Sequence, residues 1–132
     1  MYNISVPSQN GKDKIVKQLK DVHTLTKGKA KAAELVQGNN AFIGMLELDP
    51  NAAVPIHRDS TEEYLYLLSG SGTITIDGES FEIEEGTTVY MPSNAEVSYK
   101  NGNTITRLIQ VFAGPKPASK YKSWKETTFK WQ

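Results

Sequence analysis

The stretch Asn51-Ala52-Ala53-Val54-Pro55-Ile56-His57-Arg58-Asp59-Ser60-Thr61-Glu62-Glu63-Tyr64-Leu65-Tyr66-Leu67-Leu68-Ser69-Gly70 carries most of the information in this chain. On an extended backbone side chains alternate between faces, so His57 and Asp59, two residues apart, point the same way. Glu63 opens a second strand and shares a face with Leu65 and Leu67, leaving Tyr64, Tyr66 and Leu68 on the other. Ser69-Gly70 and the following Ser71-Gly72 close that strand. An imidazole and two carboxylates that converge would suit a hard divalent ion or acid–base chemistry.

Working outward, the pattern stays β. Ala41 to Leu48 is an apolar strand ended by Asp49-Pro50-Asn51. Thr73 to Ile76 runs into Asp77-Gly78, a strong hairpin signal because a type I′ turn needs positive φ at both central residues. Phe81 and Ile83 then alternate with Glu82 and Glu84. Thr87 to Met91, Val97 to Tyr99 and Ile105 to Phe112 follow, separated by Pro92-Ser93-Asn94 and Asn101-Gly102-Asn103. Short strands with turn chemistry between them predict an all-β sandwich or barrel. The sequence offers no long crossover helices to support a parallel sheet.

The flanks read less clearly. Asp13 to Val22 has the spacing of a short amphipathic helix, with Ile15, Val16, Leu19 and Val22 on one side. Ala32 to Val36 reads as an irregular strand between Gly28 and Gly38-Asn39-Asn40. Residues 115–132 form a tail whose Tyr121, Trp124, Phe129 and Trp131 are too many for free coil, so they are expected to pack on the barrel or on a second subunit.

The spacing in two blocks resembles the cupin family. That family's first motif runs Gly, five residues, His-x-His, three or four residues, Glu, six residues, Gly, and falls here on Asn51, His57, Asp59, Glu63 and Gly70. The second runs Gly, five residues, Pro-x-Gly, two residues, His, three residues, Asn, and falls on Gly86, Pro92, Asn94, Val97 and Asn101. The resemblance covers residues 41 to about 114 and implies an antiparallel β-barrel, the double-stranded β-helix or jelly roll. The organisation expected is a single domain over 1–132, with an N-terminal extension to residue 40 and the tail from 115. Asn51 and Asn94 replace motif glycines, and asparagine is the non-glycine residue that best tolerates left-handed backbone.

In metal-binding members the two motif-1 histidines, the glutamate and the motif-2 histidine coordinate a divalent ion. This chain keeps His57 and Glu63, has Asp59 for the second histidine and Val97 for the last. With His23 the only other histidine, a three-histidine site within one chain is excluded. Three readings stand side by side. In the first, His57, Asp59 and Glu63 are ligands of one Mn, Fe, Zn or Ni ion completed by water. In the second they are remnants that pair among themselves. In the third His57, with a carboxylate partner, moves protons without metal, as in sugar-nucleotide epimerase cupins. Leu65, Leu67, Met91, Val97 and Gln110 are expected to line the pocket with them. Gln110 follows from alternation, which sends Arg107 to solvent and Leu108, Gln110 and Phe112 inward; the opposite register would bury Ile109 and Val111 instead.

Composition narrows the function class. Fifteen basic and fifteen acidic residues cancel, so no basic surplus favours nucleic acid. There is no cysteine for disulfides, thiolate ligands or a thiol nucleophile. The start lacks a secretory signal, and no apolar run nears the roughly 20 residues of a membrane span. A cytoplasmic homodimer that takes a small polar molecule is the expectation. Two classes remain open: an enzyme of dioxygenase, isomerase or lyase type, with His57 and Glu63 catalytic, or a binding module without chemistry.

Overall fold

The computed structural model describes residues 15–114 and 121–131. Eleven strands occur among them: β1 His23–Lys27, β2 Ala30–Gln37, β3 Ala41–Leu48, β4 Ala53–Arg58, β5 Glu62–Ser69, β6 Ser71–Ile76, β7 Glu79–Glu84, β8 Thr88–Met91, β9 Glu96–Asn101, β10 Thr106–Ala113 and β11 Lys125–Thr127. They form a seven-stranded sheet ordered β11-β1-β2-β3-β10-β5-β8 and a four-stranded sheet ordered β4-β9-β6-β7. Every pairing is antiparallel. Two facing sheets of this kind make a jelly-roll barrel, the architecture expected from the strand and turn pattern. Among the described residues no helix is long and apolar enough to cross a membrane.

Alternation decides what is inside. Along β5, Glu63, Leu65 and Leu67 are buried while Tyr64, Tyr66 and Leu68 are exposed. Along β10, Thr106, Leu108, Gln110 and Phe112 are buried. These faces meet Phe42, Leu46 and Leu48 of β3, Ile74 of β6 and Ile83 of β7 in one apolar core. Burying side chains of this size contributes about 1.5–3 kcal/mol each before their lost conformational entropy is counted.

The turns are built as their residues dictate. A type I′ hairpin requires positive φ at both central residues. Asp77 (φ 48) and Gly78 (φ 85) both meet that requirement. Asn51 (φ 63) and Asn94 (φ 65) hold the left-handed conformation at their two turns. Asparagine does so more readily than other side chains, which is how it stands in for the motif glycines.

The ends of the two sequence motifs meet at one point of the barrel. Asn101 is buried, and its Nδ2 donates to the carbonyls of Leu48, Asp49 and Thr104 at 3.3, 2.9 and 3.0 Å. Its Oδ1 accepts from Tyr99 at 2.9 Å and from Thr106 Oγ1 at 2.6 Å. Gly70, also at positive φ, packs directly on Thr106; a Cβ there would lie 2.6 Å from the Thr106 Cα. The knot ties β9 and β10 to the loop after β3.

Two flank expectations and that for Arg107 fare differently. Asp13 and Lys14 of the expected helix lie outside the described residues. Over the rest Ile15 is helical, Gln18 is extended, and a 3₁₀ turn follows at Leu19–Asp21. Ile15 and Val16 are exposed, so no packed face rewards helix formation. So short a segment is marginal without one. The Ala32–Val36 strand is present within the longer β2, whose hairpin to β1 turns on Gly28 at positive φ. Arg107 does point away from the core, as expected, but it is only partly open to solvent. It pairs with buried Glu47 at 2.7 Å and lies 5.4 Å from the ring of Trp131, because the C-terminal segment returns across that face.

Candidate functional site

β4 and β5 position the motif-1 side chains differently. β5 is an interior strand between β10 and β8, and it buries the Glu63 carboxylate against Gln110 of β10. Gln110 Nε2 donates to Glu63 Oε2 at 2.6 Å. The phenol of Tyr121, brought in by the C-terminal segment, donates to Gln110 Oε1. An ionised carboxylate only accepts, so it fixes the amide with its NH₂ toward Glu63 and its carbonyl toward Tyr121. The chain of bonds therefore runs in one direction, from phenol to amide to carboxylate. Burial, and then the nearby charge of Glu63, push the Tyr121 phenol well above its usual range.

β4 is the edge strand of the smaller sheet, which is where Pro55 can sit without costing a ladder bond. Its register against β9 shifts between Val54 and His57, and His57 faces Val97. His57 Nδ1 donates to the Pro55 carbonyl at 2.9 Å, and Nε2 lies 3.3 Å from Asp59 Oδ2. Because a carbonyl can only accept, the Nδ1 position carries a proton and Nε2 is the ring nitrogen that faces Asp59.

These groups border two connected spaces. An inner cavity of about 90 Å³ is lined by His57, Glu63, Leu65, Met91, Val97 and Gln110, with Tyr99, Tyr121 and Trp124 among its other walls. Its surface is almost entirely carbon, and Glu63, Gln110 and Tyr121 in its walls are hydrogen-bonded in a chain. An outer groove of about 460 Å³ is lined by Lys27, Lys29, Pro55, His57, Asp59 and Trp124, among others.

The expected site residues are thus divided. His57, Glu63, Leu65, Met91, Val97 and Gln110 line the inner cavity. Leu67, fully buried in the core, does not, because its position further along β5 falls beneath the cavity wall. Asp59 lines the groove, while Glu63 lines the inner cavity. Among the described residues no group of three or more His, Cys, Asp or Glu side chains is arranged to hold a metal. Sequence reasoning did not single out Tyr99, Tyr121 and Trp124 as walls; the one signal was the aromatic density of the tail.

The cupin domain family model matches residues 44–112. This chain is a cupin. It is 34% identical over 76 residues to the dimethylsulfoniopropionate lyase DddW of Ruegeria pomeroyi, a match covering 54% of this chain and 50% of that protein. The chain therefore spans about half the length of that curated relative. Among solved structures it resembles an RmlC-like cupin from Shewanella frigidimarina, with a TM-score of 0.71 at 16% identity over 76% of this chain and 90% of that one. A predicted oxalate decarboxylase from Thermotoga maritima superposes with a TM-score of 0.67 at 22% identity, covering 74% and 96%. At these identities the structural likeness carries the cupin fold and no more.

Proposed function

We propose that this cupin binds a small molecule across the inner cavity and the outer groove, with His57 at their junction. The observation that carries the proposal is that His57 lines both spaces while Asp59 orients it. A ligand lying across the junction meets Nε2, the atom able to exchange a proton with it, so isomerase- or lyase-type proton transfer is the chemistry this arrangement suits. Glu63 serves differently. Bound to Gln110, it fixes the inner wall rather than reaching for the ligand. That a lyase and a predicted decarboxylase are among its relatives supports small-molecule chemistry as the class, without assigning either substrate.

The divalent ion that the family resemblance implies fits these residues poorly as they stand. Asp59 stands outside the lining of the inner cavity, and Val97 presents an isopropyl group opposite the imidazole. Elemental analysis of untagged protein, offered Mn²⁺, Fe²⁺, Zn²⁺ or Ni²⁺, is expected to find well under one ion per chain. Near-stoichiometric metal that disappears in His57→Ala would install the metal-dependent enzyme in place of the proton-transfer one. Screening small metabolites by methyl-resolved NMR tests ligand binding directly. The perturbed signals should cluster on Leu65, Met91, Val97 and Val54; hits confined to the opposite face of β5 would sink the site.

A second copy of the chain is the proposed partner. The outer face of β5, β8 and β10 exposes Tyr64, Tyr66 and Tyr90 beside Ile109 and Val111. Glu62 accepts from the Tyr64 and Tyr90 phenols at 3.0 and 2.8 Å, holding the pair as an aromatic patch with centroids 5.3 Å apart. Sedimentation should give a dimer that Tyr66→Lys converts to monomer.

A further inference from the structure

The inner cavity and the outer groove share the side chains of Ala30, Leu48, Val54, His57 and Trp124. Resting on the ligand site proposed above, we infer that Trp124 is its specificity-determining residue. The indole is a fixed partition that admits only a compact apolar group to the inner cavity and leaves the ligand's polar head in the groove.

Size sets the first limit. A dry apolar cavity of about 150 Å³ holds a benzene ring. The inner cavity, at about 90 Å³, is clearly smaller. By proportion it suits a branched group of roughly three or four heavy atoms. Polarity sets the second limit. The carbon surface of the inner wall offers a polar head nothing to replace its lost water, which costs about 1–3 kcal/mol per unsatisfied group. The groove, by contrast, is flanked by Lys27, Lys29, His57 and Asp59.

Trp124 acts as a wall because it is held on both sides. Its backbone N–H donates to the Tyr121 carbonyl at 3.0 Å, and the two rings meet edge to face at 5.0 Å. Tyr121 is itself anchored between Phe42 and Phe112, with centroids 5.7 and 5.8 Å away, and by its bond to Gln110. On the other side Lys27 Nζ donates to Ser123 Oγ at 3.1 Å, and β11 begins at the residue after Trp124, pairing with β1. With the small Ala30 among the shared walls, the indole sets the width of the passage.

The test uses isobutyrate and 3-phenylpropionate as probes, followed by methyl-resolved NMR on the full chain, Trp124→Leu and Ala30→Leu. In the unaltered protein isobutyrate should shift the Leu65, Met91 and Leu108 methyl signals, and 3-phenylpropionate only those of the groove. Trp124→Leu should tighten 3-phenylpropionate by about tenfold and carry its shifts to the inner methyls, with isobutyrate changed less than about threefold. Ala30→Leu narrows the passage from another wall and should weaken isobutyrate by about tenfold, so the inference stays testable if Trp124→Leu fails to fold. If 3-phenylpropionate enters the unaltered protein as well as the variant, or neither variant changes either probe, the partition is wrong while the cavity remains a ligand site. If neither acid moves the inner methyls in any of the proteins, both the partition and the cavity site fall.

Discussion

Two of the buried polar clusters among the described residues differ in where their members come from. The Asn101 knot draws Tyr99, Thr106, Leu48, Asp49 and Thr104 from strands and loops of the barrel itself. The Glu63–Gln110 pair takes its third member, Tyr121, from the C-terminal segment and borders a cavity. The first cluster ties chain segments to one another and serves to fix the fold. The second gives up some of that closure for a surface, and its geometry depends on a segment that must dock separately.

If that contrast is right, the largest losses come from the knot. Gly70→Ala would force a left-handed backbone on alanine and drive a Cβ into the Thr106 backbone. About 3–5 kcal/mol of stability should vanish in urea melts. Asn101→Ala removes the buried acceptor of the Tyr99 and Thr106 hydroxyls and the donor to three carbonyls, although Thr106 keeps Ser71 and the Asp49 carbonyl keeps the Ala52 N–H. It should cost about 3 kcal/mol by the same measurement. An Asn101→Ala loss no greater than that of Tyr121→Phe would erase the distinction between the clusters.

Tyr121→Phe removes one buried hydroxyl while keeping the ring between Phe42 and Phe112. The expected cost is about 1.5 kcal/mol. The strongest chemical-shift changes should fall at Gln110 and along the inner cavity rather than at Asn101. The smallest effect concerns how the C-terminal segment is tied down. His23 bridges Glu34 at 2.6 Å and Glu126 of β11 at 3.1 Å, and its bonds to Glu126 and then Glu34 raise its pKa. A raised folded-state value means that the stabilisation is complete below the unfolded pKa, about 6.5, and is lost as pH rises through the folded one. Hydrogen exchange of β11 amides should therefore speed up modestly across that window beyond the intrinsic effect of pH, and His23→Gln should flatten the excess.

How much could be seen in advance followed the same division. Residues 41–114 announce themselves because alternation and turn chemistry are local signals. β5 and β10 bury the predicted faces, Gln110 included, and Asp77-Gly78 makes the predicted turn. The motif spacing located His57, Asp59 and Glu63, but their expected convergence depended on β4 running in simple register. An edge strand with a register shift before His57 and a proline within it does not do so; His57 lies beside Asp59 and lines the inner cavity with Glu63. Tyr121 and Trp124 were illegible as cavity walls for another reason. No periodicity governs a segment that is neither long strand nor helix, so only the docked chain reveals which aromatic enters.

The order of the larger sheet carries one more consequence. At one end stands β11, three residues long and bearing exposed Lys125 and Glu126; at the other stands β8, flanked by tyrosines. A short charged margin resists being templated, whereas the tyrosine-flanked one can accept a strand. Growth by edge pairing through this sheet can thus proceed from one end only, and two copies joined at that end have none left to offer. If copies of the chain pair at that end, as proposed above, pairing through this sheet would close as a two-fold dimer.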